Sequence, residues 1–359
     1  MDMTFRYKGR RQAPSTRIRA IALLISIYNI PAFFTGCSSD RDMSEEQCRY
    51  SVTLKTVSAT GDKGSGDASR IVHSDIFIFN DDGLKRLDSY QRSSGDGPVK
   101  VASRTGRKIM AVIANSSLSP REWRKINSLE GLMEETVLLE NEDPEHPVMS
   151  TVIEIDPEQE YMYYAEPERL VSEIRINSIR TDFQGREYYG EPLTDVKIYL
   201  TNVNASCCIM KHEDFRPESI VNPGFLDTEA MGRFHDSRIV CADAVPDIGR
   251  SPVNPGIRLY CYPNDSLEET PGSPFTRLVI EGKIAGYTYW YPITINRGDF
   301  GAITGGDGNG IGRNMCYSYD ITILRTGTPD PDIPVDKDDI RIECSIEPWQ
   351  EKGNETIAF

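Results

Sequence analysis

Two stretches near the C-terminal end alternate apolar and polar residues almost without a break: Tyr317, Tyr319, Ile321 and Ile323, then Ile340, Ile342, Cys344 and Ile346. Successive strand side chains point to opposite faces, so period-two apolarity is what a strand with one wet and one core face requires. The same period recurs at Tyr50/Val52/Leu54, Ile174/Ile176, Val196/Ile198/Leu200, Leu278/Ile280 and Tyr287/Tyr289/Tyr291. Residues 75–79 and 108–114 are instead short apolar runs bounded by turn residues, as strands buried inside a sandwich are. Asn80-Asp-Asp-Gly83 supplies one of those turns. The sequence therefore predicts an all-β protein with little helix.

One segment breaks the pattern. Ser119-Pro120-Arg121-Glu122 has the residues of a capping box, and Trp123, Ile126, Leu129 and Leu132 follow at helical spacing. A single short helix is expected there, with Trp123 in the core. Asp, Glu and Pro concentrate between 156 and 167, and the strand pattern restarts at Leu170. A boundary at that point divides the folded part into segments 50–165 and 166–359.

The N-terminal end is of another kind. Six bases (Arg6, Lys8, Arg10, Arg11, Arg17, Arg19) against Asp2 precede an apolar run over residues 20–34, then Thr35-Gly36-Cys37. A basic region, an apolar run too short to span a bilayer and small residues before a cleavage point read as a secretory signal, residues 1–36. A cysteine just after them looks like a lipobox, in which the Cys37 thiol is acylated by a palmitate-type chain and anchors the cut chain to a membrane. The alternative is an uncut signal-anchor with an incidental cysteine. Residues 37–49 carry Asp40, Asp42, Glu45 and Glu46 and almost nothing apolar, which reads as a solvated acidic tether.

Removing residues 1–36 leaves 34 basic against 54 acidic side chains in 323 residues. A surface that negative repels phosphate backbones, so nucleic acid is not an expected partner. The seven cysteines beyond Cys37 contain no Cys-x-x-Cys pair, and the neighbouring Cys207 and Cys208 cannot share a strand face. They read as small apolar residues rather than as metal ligands.

The four histidines (His73, His146, His212, His235) show no paired spacing. The Gly-rich run 305–312 lacks the Gly-Lys-Ser/Thr ending of a phosphate loop and precedes a strand, so it reads as a hairpin loop. The acids at Asp330, Asp332, Asp336, Asp338 and Asp339 read as solvated turns, since calcium needs six or more oxygens from one folded loop. No catalytic residue, metal or cofactor is assigned, and an enzyme is not the expected reading.

Several segments in order resemble the fimbrillins of Bacteroidetes. They are the lipobox at Cys37, Ser74-Asp-Ile-Phe-Ile-Phe-Asn-Asp-Asp-Gly83, Ala111-Val-Ile-Ala-Asn115 and Glu168-Arg-Leu-Val-Ser-Glu-Ile-Arg-Ile176. Leu193-Thr-Asp-Val-Lys-Ile-Tyr-Leu-Thr-Asn-Val203, Tyr260-Cys-Tyr-Pro-Asn264 and Thr276-Arg-Leu-Val-Ile-Glu281 follow. Tyr289-Trp-Tyr-Pro-Ile293, Arg313-Asn-Met-Cys-Tyr317, Thr328-Pro-Asp-Pro-Asp332 and the strand ending at Trp349 complete the series. The resemblance implies two transthyretin-like β-sandwich domains, the first with one short helix, in a subunit of an adhesive surface pilus. It implies an outer membrane lipoprotein precursor held through Cys37, and its acidic tether resembles a signal for display on the outer face. It further implies that a trypsin-like protease cuts after the first strand, whose loss opens a groove that a neighbouring subunit fills.

Strand addition of that kind is sound physics, because a sandwich lacking one strand exposes unpaired backbone groups and an apolar trough. Here residues 48–57, with Tyr50, Val52 and Leu54, are the expected removable strand. The polar loop after it offers Arg70, at the edge of the next strand, and Lys63 as second choice. Other pilus subunits, the protease and the outer membrane are the expected partners. Two alternatives stay open. One is a monomeric surface glycan-binding lipoprotein using Tyr287, Tyr289, Trp290 and Tyr291, and the other is an uncleaved pilus anchor or tip subunit.

Overall fold

The computed structural model describes residues 47–55, 70–95, 97–211, 215–297, 302–304, 308–336 and 338–349. The first half holds strands β1 (Gln47–Leu54), β2 (His73–Asn80), β3 (Leu87–Ser94), β4 (Val99–Arg104), β5 (Lys108–Ala114), β6 (Thr136–Leu138), β7 (Met149–Ile155), β8 (Met162–Ala165) and β9 (Glu168–Arg169). Eight of them form a three-stranded sheet in the order β4-β1-β8 and a five-stranded sheet in the order β3-β2-β5-β7-β9, while β6 pairs with residues Ser206–Cys208 of the second half. Tyr50, Val52 and Leu54 from the small sheet meet Ile76, Ile78, Met110, Val112 and Ala114 from the large one in a single apolar cluster.

The opposite face of the large sheet is buried too. Phe77, Phe79, Ile109, Ala111 and Ile113 pack under Trp123 and Leu132 and join the core of the second half. A sheet covered on both sides has no wet face, which is why β2 and β5 read as unbroken apolar runs rather than alternating ones. The segment after Ser119 is shorter than the expected helix. The capping box forms, with Ser119 N and Oγ both donating to Glu122 Oε2 at 2.7 Å. It caps only a 3-10 turn, Glu122–Lys125, and the chain restarts as helix α1 (Leu129–Met133) on a second cap, Ser128. Trp123 is core as expected, edge-on to Phe77 at 5.3 Å.

The second half holds β10 (Ser172–Thr181), β11 (Thr194–Thr201), β12 (Val203–Asn204), β13 (Ser206–Cys208), β14 (Ile220–Val221), helix α2 (Thr228–Met231) and β15 (Cys241–Ala242). It continues through β16 (Arg258–Cys261), β17 (Arg277–Ile284), β18 (Tyr287–Thr294), β19 (Ala302–Thr304), β20 (Met315–Ile323) and β21 (Ile340–Pro348). Its two main sheets have the orders β16-β10-β20-β21-β19 and β15-β11-β17-β18. Both cleanly alternating stretches of the sequence are strands, β20 and β21, paired antiparallel from Met315↔Pro348 to Ile323↔Ile340. Ala285 and Gly286 turn β17 into β18 with positive φ at both positions, 49° and 86°. That two-residue turn follows the twist of its strands and needs glycine at the second place. The architecture is all-β, with only short helices among the described residues.

The seven cysteines after Cys37 are unbridged, and Cys208, Cys261 and Cys344 are buried among apolar side chains. Asp332, in one of the acidic turns, is ion-paired to Arg277 at 2.6 Å. Of the Gly-rich run, residues 308–312 are described, and Ile311 there exchanges backbone hydrogen bonds with Asn264.

Candidate functional site

Strand β1 is the centre of its sheet. It pairs antiparallel with β4, Tyr50 opposite Val101 and Val52 opposite Val99. On its other side it runs parallel to β8, with Val52 opposite Tyr163 and Leu54 opposite Ala165. Among the described residues, neither neighbour has another partner in that sheet. Taking β1 away would leave two facing rows of unpaired backbone groups one strand-width apart. The floor between them would be the apolar face of β2 and β5. Tyr50, Val52 and Leu54 fill that floor, and Tyr50 stands edge-on to Tyr163 at 5.4 Å.

The strand begins at Gln47, inside the segment expected to be tether, and Lys55 N, just after it, still donates to Ala165 O at 2.9 Å; residues 56 and 57 of the expected strand lie outside the described residues. Strand β8 lies inside the acidic, Pro-rich stretch read above as a boundary. Its signal, Met162-Tyr-Tyr-Ala165, is only four residues long and hidden among acids. Its burial alternates, Tyr163 and Ala165 in, Met162 and Tyr164 out.

Arg70 is exposed, and the next residue, Ile71, is buried in the cluster beneath β1 at 2 % exposure. The peptide between them is held by Asn115, whose φ of 59° places its side chain back over the chain. Asn115 Nδ2 donates to Arg70 O at 3.0 Å and to Pro147 O at 3.3 Å. Its Oδ1 accepts from Val72 N at 2.9 Å. Asn115 was legible only as a turn residue closing an apolar run. Cys37 and Lys63 lie outside the described residues.

At the other end, β21 is paired on both sides in its own sheet, with β20 and with β19. Trp349 closes it, stacked on Tyr260 at 5.8 Å with the Arg169 guanidinium 4.3 Å over its ring. Arg169 Nη1 also donates to Trp349 O at 3.2 Å, which ties β9 to the terminal strand.

The aromatics of β18 do not form one platform. Tyr291 is buried and Tyr289 packs against the core, while Trp290 turns away and donates through Nε1 to Glu281 Oε2 at 3.2 Å. Tyr287 alone of the four is freely exposed, at 71 %.

A buried polar group went unread in the sequence. Glu142 is buried, accepting from Tyr262 OH at 2.8 Å and Val148 N at 3.1 Å. Desolvation outweighs both hydrogen bonds and pushes its carboxyl up to about 7. Burial likewise pushes the Cys207 thiol up to about 12, so it is not a reactive thiolate.

Two β-sandwich-like pairs of sheets make up the fold. Solved structures from Bacteroidetes share it. A candidate cell adhesion protein from Bacteroides eggerthii superposes with a TM-score of 0.62 at 17 % identity, over 85 % of this chain and 96 % of that one. The fimbrilin FimA of Porphyromonas gingivalis gives 0.57 at 14 % identity, over 84 % of this chain and 97 % of that one. The tip fimbrial protein Mfa3 of Porphyromonas gingivalis, truncated at its C-terminus, gives 0.52 at 14 % identity, over 85 % and 100 %. At such identities the likeness is one of fold. No family model matches the chain, and no curated protein is similar to it in sequence.

Proposed function

We propose that this chain is a non-enzymatic structural subunit of a cell-surface fimbria that serves adhesion, assembled by protease-triggered strand exchange. The observation that carries the reading is the place of β1, central in a three-stranded sheet and followed by a junction with an exposed arginine. In this reading the precursor reaches the outer membrane as a lipoprotein through Cys37. A trypsin-like protease cuts after Arg70, or after Lys63, and β1 leaves. A segment of another subunit then pairs with β4 and β8 and buries the trough that Tyr50, Val52 and Leu54 vacate. The fold of the fimbrial neighbours supports the reading. The dispersal of Tyr287, Tyr289, Trp290 and Tyr291 over both faces of β18 speaks against the stacking platform of the glycan-binding alternative.

Electron microscopy and gel analysis of trypsin-treated protein test this. The native chain is expected to give filaments or a ladder of oligomers, and a chain with Arg70→Ala and Lys63→Ala together is expected to stay intact and monomeric. Normal maturation and polymerisation of that double variant would overturn the mechanism.

Asn115 sets how readily the junction opens. Asn115→Gly keeps the positive φ accessible and deletes the side-chain hydrogen bonds to Arg70 O and Val72 N. At about 1 kcal/mol for each bond, local opening becomes easier by about 2 kcal/mol. Where cleavage follows the open population, trypsin should cut after Arg70 about thirtyfold faster, measured by the appearance of a chain beginning at Ile71.

A further inference from the structure

The outer face of the β4-β1-β8 sheet is basic, in a chain of net charge −15. Its outward positions hold Arg49 on β1, Lys100 and Arg104 on β4, and Met162 and Tyr164 on β8, all exposed. The register sets Lys100 and Met162 on either side of Ser51, so the bases and the two large side chains share one surface. Lys55, just past β1, is exposed too and lies with its ammonium 4.1 Å over the Tyr164 ring. The remaining outward positions of the three strands are uncharged, so among the described residues no acid stands on this face. Arg104 is ion-paired to Asp88 at 3.6 Å, a carboxylate that is itself buried. Glu154, Asp156 and Glu160 border the face on the β8 side, where they line a cavity shared with Met162 and Tyr164.

Bases beside an exposed thioether and a phenol suit a surface that carries anions over an apolar layer. Long basic side chains reach the anions, while the thioether and the ring enter the boundary beneath them. Two observations select a membrane over an acidic protein as the occupant. Strand β1 starts at Gln47, ten residues after Cys37, so an acyl chain on Cys37 would hold this sheet within about 35 Å of the bilayer. Arg49 and Lys55 also belong to the segment ahead of Arg70. Whatever they hold is held before cleavage and weakened when β1 leaves, which fits a surface the precursor occupies only until it matures.

We propose that the outer face of this sheet docks the precursor on a phosphate-bearing lipid surface through Arg49, Lys55, Lys100 and Arg104. The inference rests on the lipoprotein and strand-exchange reading for where the membrane lies and for what releases the face. A single acyl chain and a basic patch reinforce each other at an anionic membrane, and loss of either favours release.

Vesicle sedimentation tests this with the chain from residue 37, which holds every described residue, carrying Cys37→Ser so that no acyl chain contributes. The probes are vesicles of phosphatidylcholine alone and of phosphatidylcholine with phosphatidylglycerol in equal parts. At physiological ionic strength, exposed acids more than about 8 Å from the lipid are largely screened. The chain should bind the anionic vesicles and not the neutral ones, and less as salt rises. Each base near an anionic surface is worth about fivefold, so Arg49→Gln, Lys55→Gln and Lys100→Gln together should weaken binding about a hundredfold. All three side chains are exposed, so melting should not change. Arg86→Gln, Arg121→Gln and Arg124→Gln together make the same charge change outside the face and should leave binding in place. Trypsin-cut chain that has lost β1 should bind about twenty-fivefold more weakly, for the two bases removed. A cut chain that keeps β1 counts against strand exchange and not against docking, which the substitutions test by themselves. Absent or equal binding to the two vesicles overturns the proposal, as does a control triple variant that loses as much as the face variant. So does binding that appears only after Asp40, Asp42, Glu45 and Glu46 are replaced by their amides, since the tether would then be the occupant of the face.

Discussion

Val52→Asp is expected to unfold the uncleaved chain and to leave the cleaved, polymerised form unchanged. Val52 is fully buried at the centre of β1, between Val99 and Tyr163. Losing its burial costs about 1.5–3 kcal/mol, and an unpaired carboxylate in that position costs several more. Together these approach the whole stability of an ordinary domain, about 5–15 kcal/mol. If β1 departs on maturation, the substitution departs with it. Val52→Ala makes the same comparison in a chain that still folds. The intact form should lose about 2 kcal/mol in denaturant unfolding, while filaments made after trypsin treatment match the native ones in stability. Filaments weakened as much as the monomer would show that β1 stays in the assembled subunit.

Glu142 should make the folded chain more stable in mild acid than at neutral pH. Its carboxyl has a folded pKa of about 7 against an ordinary 4.5, so the folded state holds the extra proton between those values. The stabilisation is complete below about 4.5, falls as pH rises through that window, and is gone above about 7. The shift corresponds to about 3 kcal/mol. Asp143, Tyr262 and Arg313 face the same group and contribute to its environment. Asp143, held below its ordinary range, and Asp236, lowered first by Arg238, act in the opposite sense in acid. The measurement is therefore the difference between the native chain and Glu142→Gln across the pH range. Glutamine imitates the protonated carboxyl, accepting from Val148 N and donating to Tyr262 O. The variant should be the more stable protein at pH above about 7, and the difference should vanish in acid. A difference independent of pH would mean that Glu142 does not titrate in this window.

Much of the fold was legible because strands write their burial into a period of two. β20 and β21 could be read residue by residue, and so could the inward set Tyr50, Val52 and Leu54. The helix after Ser119 was legible in its cap but not in its length. The spacing of Trp123, Ile126, Leu129 and Leu132 serves two short turns with separate caps as well as one helix. Strand β8 was missed because four residues among acids carry too little pattern to outweigh the composition around them.

The sequence by itself determined which residues face a core, since apolar side chains at alternate positions can leave water only on one face of a strand. It also marked the polar segment around Arg70, where composition alone favours an accessible chain. Only the tertiary structure decided that β1 is central rather than an edge, because strand order is set by pairings between segments far apart, here β4 and the short β8. The same holds for the Asn115 contacts with Arg70 O and Val72 N and for the burial of Glu142 beside Tyr262, 120 residues away. Hydrogen bonds and desolvation depend on distance in space, and local periodicity carries no record of which distant segments will meet.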